Sequence, residues 1–127
     1  MPQTIQQQRA AYALEAIHKA RRELRPDALK ELKSYASALP AMIHMNGLGQ
    51  AAAFILSKGQ EAAAYQRLYD ILGGWLCAKG KPYAGYNDLM GAITGADMHA
   101  YRLAQAEAQA LLDWVKKFAN AYLEDVA

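Results

Sequence analysis

Valine and threonine each occur only twice in the 127-residue sequence and proline four times, so strand formers are nearly missing and helix breakers are few. Alanine is abundant instead, and an all-α fold is predicted. Cysteine appears once, as Cys77, which excludes an intramolecular disulfide and the CxxC spacings of metal and redox sites and suits a reducing cytoplasm. No apolar run approaches the roughly 18 to 20 residues that span a bilayer, and the opening MPQTIQQQRAAY lacks the charged-then-apolar order of a signal peptide. A cytoplasmic protein without a membrane partner is the expectation. Net charge is small as well: at +2, with a sequence pI of about 8.7, the chain falls short of the strongly basic signature of a nucleic-acid-binding domain.

What is present is a globular composition, 54% hydrophobic and 20% charged, far from the profile of disorder. The length suits one domain over residues 1–127 with one core, expected to be a compact bundle of about five to six helices. Thr4 followed by Gln7 is a capping-box pattern, and Ile5, Tyr12, Ile17 and Leu24 recur near helical spacing until Pro26, which predicts a helix over 4–24. A second helix begins at Pro26 with Asp27 in its first turn, places Leu29, Leu32, Tyr35, Ala36 and Leu39 on one face, and is expected to stop at Pro40. A third, from Pro40 to Gly59, is apolar nearly all round, as a buried central helix is. Tyr65, Leu68, Tyr69, Leu72, Trp75 and Leu76 mark a fourth, ended by Gly80 and Pro82. Asn87 is the expected cap of a short helix ending at Gly95, and Asp97 that of a long last helix. That last helix carries one apolar stripe through Tyr101, Ala104, Ala108, Leu111, Val115, Phe118 and Tyr122, and a second through Leu103, Ala110 and Trp114; two stripes imply two neighbours.

Chemistry-bearing patterns are sparse. GLGQAA, Gly47 to Ala52, matches a dinucleotide fingerprint in letters, but that chemistry needs a preceding strand, and here a helix precedes it; the alternative is close approach of another helix over small residues. Gly74 through Lys81 is one residue too long for a phosphate loop, and Pro82 stands where a magnesium-binding hydroxyl belongs. His18, His44 and His99 lie at no metal-ligand spacing, and His44 has no adjoining nucleophile or carboxylate to serve. Glu124 and Asp125 read as a solvated tail rather than an acid/base pair. No catalytic residue, metal site, cofactor or small-molecule substrate is expected. Charge is unevenly placed: residues 1–33 hold seven of the fourteen basic residues against four acids. Lys19, Arg21, Arg22, Arg25, Lys30 and Lys33 straddle the first helix junction, with Glu15, Glu23 and Glu31 available for exposed ion pairs. The competing reading is contact with phosphates; aromatic residues do not interleave with these cations in sequence, which disfavours base-specific reading.

Two segments, LPAMIHMNGLGQAAAFILSK (Leu39 to Lys58) and AEAQALLDWVKKFANAYL (Ala106 to Leu123), resemble the signature regions of the small-subunit family of Cmr-type (type III-B) CRISPR effector complexes. Arg9 and Tyr12 within RAAYAL, and Lys33 to Tyr35, resemble its N-terminal pattern more loosely, while residues 59–95 match no motif. The resemblance implies a helical, non-catalytic subunit that stacks in copies as a minor filament beside the filament holding the guide RNA, with target cleavage and cyclase-like activity left to other subunits. Its implied partners are the backbone and large subunits, copies of itself, guide RNA and target RNA. Pro40, Met42, Ile43, Asn46, Gly47, Gln50 and Phe54 match the first motif, with Asn46 and Gln50 as polar anchors. Glu107, Leu111, Leu112, Trp114, Lys117 and Phe118 match the second. The expected packing or subunit-interface set is Pro40, Met42, Asn46, Gly47, Gln50 and Trp114, and the expected RNA-facing set is Arg9, Lys19, Arg21, Arg22, Lys33, Lys58 and Lys117, contacting phosphates without reading sequence. Two alternatives stand beside it: a scaffold whose cations pair with acidic patches on neighbouring subunits, and a helix-turn-helix DNA-binding regulator turning at Pro26.

Overall fold

The computed structural model describes residues 2–123, so Glu124 and Asp125 lie outside the described residues. It contains helices α1 (Ile5–Glu23), α2 (Pro26–Gly59), α3 (Ala63–Leu76), α4 (Leu89–Gly95) and α5 (Met98–Tyr122), with no strand among the described residues. The all-α expectation holds. Thr4 and Gln7 close the capping box, the Gln7 amide donating to Thr4 Oγ1 at 3.1 Å and the Thr4 amide to Gln7 Oε1 at 2.8 Å. Asp97 caps α5 through the Ala100 amide at 2.9 Å. The cap of α4 is Asp88 rather than the expected Asn87; its carboxylate accepts from the Gly91 amide, and a carboxylate at a helix N-terminus also complements the dipole.

α2 departs most from the sequence expectation. It does not stop at Pro40, which lies inside it; the backbone leaves helical geometry at Gly47, with φ 87° and ψ 159°. An unbroken helix would carry Phe54 about 28 Å from Tyr35. Yet both rings meet Tyr65 of α3, Tyr35 stacked on it at 3.8 Å between centroids and Phe54 edge-on at 5.7 Å. The chain therefore bends back at Gly47, leaving two arms, 26–46 and 48–59, packed on α3. An interior proline forfeits one helix bond and costs about 3 kcal/mol. Here the neighbouring turns bury Leu39 and Ile43, at 1% and 0% exposure, each contributing about 1.5–3 kcal/mol, and Gln109 Nε2 donates to the Pro40 carbonyl at 3.0 Å.

Gln105 and Tyr101 of α5 hold the break itself. Gln105 Oε1 accepts from the Leu48 amide and the Tyr101 hydroxyl from the Gly49 amide, both at 2.9 Å, so the first donors of the second arm are satisfied from outside the helix. The pairs 40–109 and 49–101 run the first arm antiparallel to α5. By length and composition α2 meets a bilayer-spanning criterion, with an 18-residue window at mean hydropathy 1.2. Its apolar side chains Leu32, Ala36, Leu48, Ala52 and Ile55 are nevertheless buried against the bundle, as in a core helix. The expectation that residues 40–59 are buried all round fails: His44, Met45, Asn46, Gln50 and Phe54 are exposed, Met45 at 79%.

α5 packs on both α1 and α2, as its two stripes imply, although Leu103 of the second stripe stays exposed. The loop after α3 drives Tyr83 into the core, fully buried, between positive-φ glycines Gly80 and Gly85. Burial pushes the Tyr83 hydroxyl up to about 12, and no described group partners its oxygen. An unpartnered buried hydroxyl costs about 1–3 kcal/mol. Tyr83→Phe should therefore leave urea-unfolding stability unchanged or raise it by about 1 kcal/mol; a clear loss would reveal a partner for the hydroxyl.

Candidate functional site

Three local arrangements gather the expected site residues. The first is the α1–α2 junction. Leu24 ends α1 in extended geometry and Pro26 starts α2, so a tight turn brings two basic helix ends together. Lys19, Arg21, Arg22, Arg25 and Lys30 are all exposed and Lys33 is half-buried. The neighbouring acids do not neutralise them as the sequence allows. Glu23 pairs instead with Arg67 of α3 at 2.9 Å, and Glu31 accepts the Tyr35 hydroxyl at 2.7 Å. Only Glu15 meets the cluster, 3.5 Å from Arg22 with both side chains well exposed, a pair worth about 0–1 kcal/mol.

The second is the outer face of α2 around the break. Met42, Asn46, Gln50 and Phe54 line one shallow groove of about 470 Å³, and Lys58 sets its ammonium 5.9 Å from the Phe54 ring centroid. The Gly47 turn bends this stripe. Gly47 and Gly49 are also where α5 comes closest: a Cβ at Gly47 would stand 3.1 Å from the Tyr101 hydroxyl, and one at Gly49 3.5 Å from it. The fingerprint-like glycines thus admit a helix, with helix and not strand before them.

The third is internal. Arg9 donates from Nε and Nη2 to both carboxylate oxygens of Glu107, at 2.6 and 2.9 Å, and Trp75 Nε1 donates to Glu107 Oε2 at 2.8 Å. The Arg9 and Glu107 side chains are only 15% and 14% exposed. The Arg9 bonds, aided by Trp75, hold the Glu107 carboxyl below the usual carboxylate range, against a desolvation that opposes them. Lys81 lies 4.4 Å over the Trp75 ring, and Tyr12 packs against the same ring while donating to the Ile71 carbonyl at 2.7 Å. Arg9 is thereby set apart from the open cations. Trp114 is half-buried, its indole donating to Gln6 Oε1 at 3.0 Å beside Phe118. Lys117 is 70% exposed, 3.9 Å from Asp113.

The expected residues therefore divide. Lys19, Arg21 and Arg22 share the junction, while Met42, Asn46, Gln50 and Lys58 share the groove face with Phe54; Arg9 and Trp114 make contacts inside the bundle. Tyr101, Gln105, Gln109 and Trp75 shape these arrangements and were not singled out as site residues from sequence, because a polar residue on an amphipathic helix does not announce which distant backbone group it caps. The cleft between α1 and α3, lined by Tyr12, Glu15, Lys19, Arg67 and Asp70 among others, balances two cations with two acids. Among the described residues no group of three His, Cys, Asp or Glu side chains could hold a metal ion, and burial pushes the Cys77 thiol up, away from the thiolate a nucleophile requires.

A family model described as CRISPR-associated protein (Cas_Cmr5) matches residues 5–122. The chain belongs to the Cmr5 family. It is 30% identical over 116 residues to the CRISPR system Cmr subunit Cmr5 of Thermus thermophilus, an alignment that covers 90% of this chain and 94% of that protein. The match runs from the first turn of α1 to the last residue of α5, so the junction, the groove face and the Arg9–Glu107 pair all fall inside the Cmr5 region. It makes the chain a small subunit of the Cmr, type III-B CRISPR system. It also displaces the helix-turn-helix reading, which the structure independently disfavours: Leu32 and Leu39, on the would-be recognition helix, are at 0% and 1% exposure in the core.

Proposed function

We propose that this chain is a non-catalytic, cytoplasmic subunit of the Cmr ribonucleoprotein, acting as one domain that stacks in copies as a minor filament in antiviral defence. In this reading it docks on the backbone and large subunits and supports guide RNA paired with target RNA through phosphate contacts. The observation that carries the RNA part is the α1–α2 junction: five exposed cations stand on one tight turn, while Glu23 and Glu31 are engaged by Arg67 and Tyr35. Charges left open in this way suit a polyanion, and a duplex held by its backbone needs no base reading from the protein. Lys19, Arg21 and Arg22 are the leading phosphate contacts, with Lys33, Lys58 and Lys117 beyond them; Arg9 is assigned to the fold through Glu107.

The test is R21E combined with R22E in the intact, tagged complex. The expected result is a particle of unchanged subunit composition that retains target RNA about tenfold less well at moderate salt, with the salt slope reduced by about 0.7 for each lost phosphate contact. Loss of the subunit from the particle would instead mean that these arginines pair with neighbouring subunits, the scaffold reading without RNA contact.

A further inference from the structure

We propose that the groove of Met42, Asn46, Gln50 and Phe54, closed at one end by Lys58, receives an unpaired nucleobase of single-stranded RNA. This rests on the RNA reading above and goes beyond it, since that reading invokes phosphates alone. In sequence the aromatic residues stand apart from the cations; the bend at Gly47 and the packing on α3 bring them together. Tyr35, Tyr65 and Phe54 form a continuous aromatic step, the first two stacked within 10° of parallel and the third edge-on. Phe54 ends the step with its ring 37% exposed and an ammonium 5.9 Å from its centroid.

Each lining residue matches a feature of a nucleotide. An exposed aromatic face stacks a base of any identity. The thioether of Met42 is a soft, adaptable apolar wall. Asn46 and Gln50 are exposed, and each carboxamide offers a donor and an acceptor side by side, the pattern that meets the edge of a base. Lys58 supplies the cation for the adjoining phosphate. No carboxylate lines the groove, and its volume of about 470 Å³ accommodates a nucleotide rather than a helix of a partner protein, which would require a longer apolar trough. Unpaired, splayed bases are what proteins read in RNA by stacking and edge contacts.

The experiment compares binding of a short fluorescein-labelled oligouridylate and of an abasic strand with the same phosphates to the full chain and its F54L variant. Leucine keeps apolar contact with Tyr65 and removes only the aromatic face; an unchanged melting temperature confirms the fold. The proposal expects F54L to weaken oligouridylate binding about tenfold with the salt slope unchanged, and to leave the abasic strand unaffected. K58A should lower the slope on both strands by about 0.7. Equal losses on both strands, or no loss on either, overturn the groove while wild-type binding to the abasic strand still upholds the phosphate reading. Wild-type failure on the abasic strand overturns the phosphate reading for the free subunit, and failure on both strands overturns both. Release of F54L from the Cmr particle with RNA binding intact would assign the groove to a protein neighbour instead.

Discussion

Replacing Glu107 with alanine is expected to destabilise the protein by about 3–5 kcal/mol, the cost of leaving one member of a largely buried ion pair without its partner. Arg9 would retain its charge at 15% exposure with no acceptor in place of two carboxylate oxygens, and Trp75 Nε1 would lose its acceptor too. Urea unfolding checks the size of the loss. The double variant R9M with E107L should recover most of it, because removing both charges also removes the desolvation that each carries; a double variant as unstable as E107A would mean that Trp75 alone carries the effect. The pH dependence has a definite sign. Glu107 is held below its usual range in the folded state, so the pair's contribution is complete above the ordinary carboxylate pKa of about 4.3 and is lost as pH falls through the lower folded-state value. E107Q should flatten that acid-side decline in stability, and a decline as steep as in the wild type would place the linkage elsewhere.

Gly47→Ala is expected to cost about 2–4 kcal/mol, from two sources that act together. At φ 87° and ψ 159° the backbone occupies a region essentially reserved for glycine, which costs another residue about 1–3 kcal/mol. The added Cβ would also stand 3.1 Å from the Tyr101 hydroxyl and 3.6 Å from Gln105 Oε1, disturbing the two side chains that satisfy the Leu48 and Gly49 amides, each such bond contributing about 1 kcal/mol. Gly49→Ala is the control: its backbone is helical and its nearest contacts are ordinary at 3.5 Å, so its stability should change by less than about 1 kcal/mol. If the two variants unfold alike, the bend is not specified at Gly47. A displaced bend would also separate Phe54 from Tyr65, so hydrogen exchange of the second arm should rise in G47A and not in G49A.

Gly47 shows where reading the sequence succeeded and where it stopped. The apolar periodicities and caps of α1, α3 and α5 were legible because they are local: Thr4 meets Gln7 and Asp97 meets Ala100 within one turn. The break in α2 was placed at Pro40 because proline is the stronger local signal. Its position at Gly47 is set by α5, through Gln109 on the Pro40 carbonyl and Gln105 and Tyr101 on the arm that follows. Likewise the apolar circumference of residues 40–59 read as burial, whereas Met45 and Phe54 are exposed; composition reports which surfaces are apolar, and packing reports which of them find a neighbour.

The site divides in the same manner. The basic residues around the first junction, and the two motifs that resemble the Cmr small-subunit family, were visible as residues. Which charges remain open was not, because Glu15, Glu23 and Glu31 look equally available along the chain, and only the fold sends Glu23 to Arg67 and Glu31 to Tyr35. Arg9 and Glu107, 98 positions apart, have no spacing that could pair them. By itself the sequence determined helix as the backbone state, the cap residues of α1 and α5 and the family, since each is written in neighbouring residues or in short motifs. The tertiary structure alone decided the bend at Gly47, the burial of Arg9, Tyr83 and Trp75, and the joining of Phe54, Lys58 and two carboxamides in one groove, because each depends on contacts between segments that only the folded chain brings within reach.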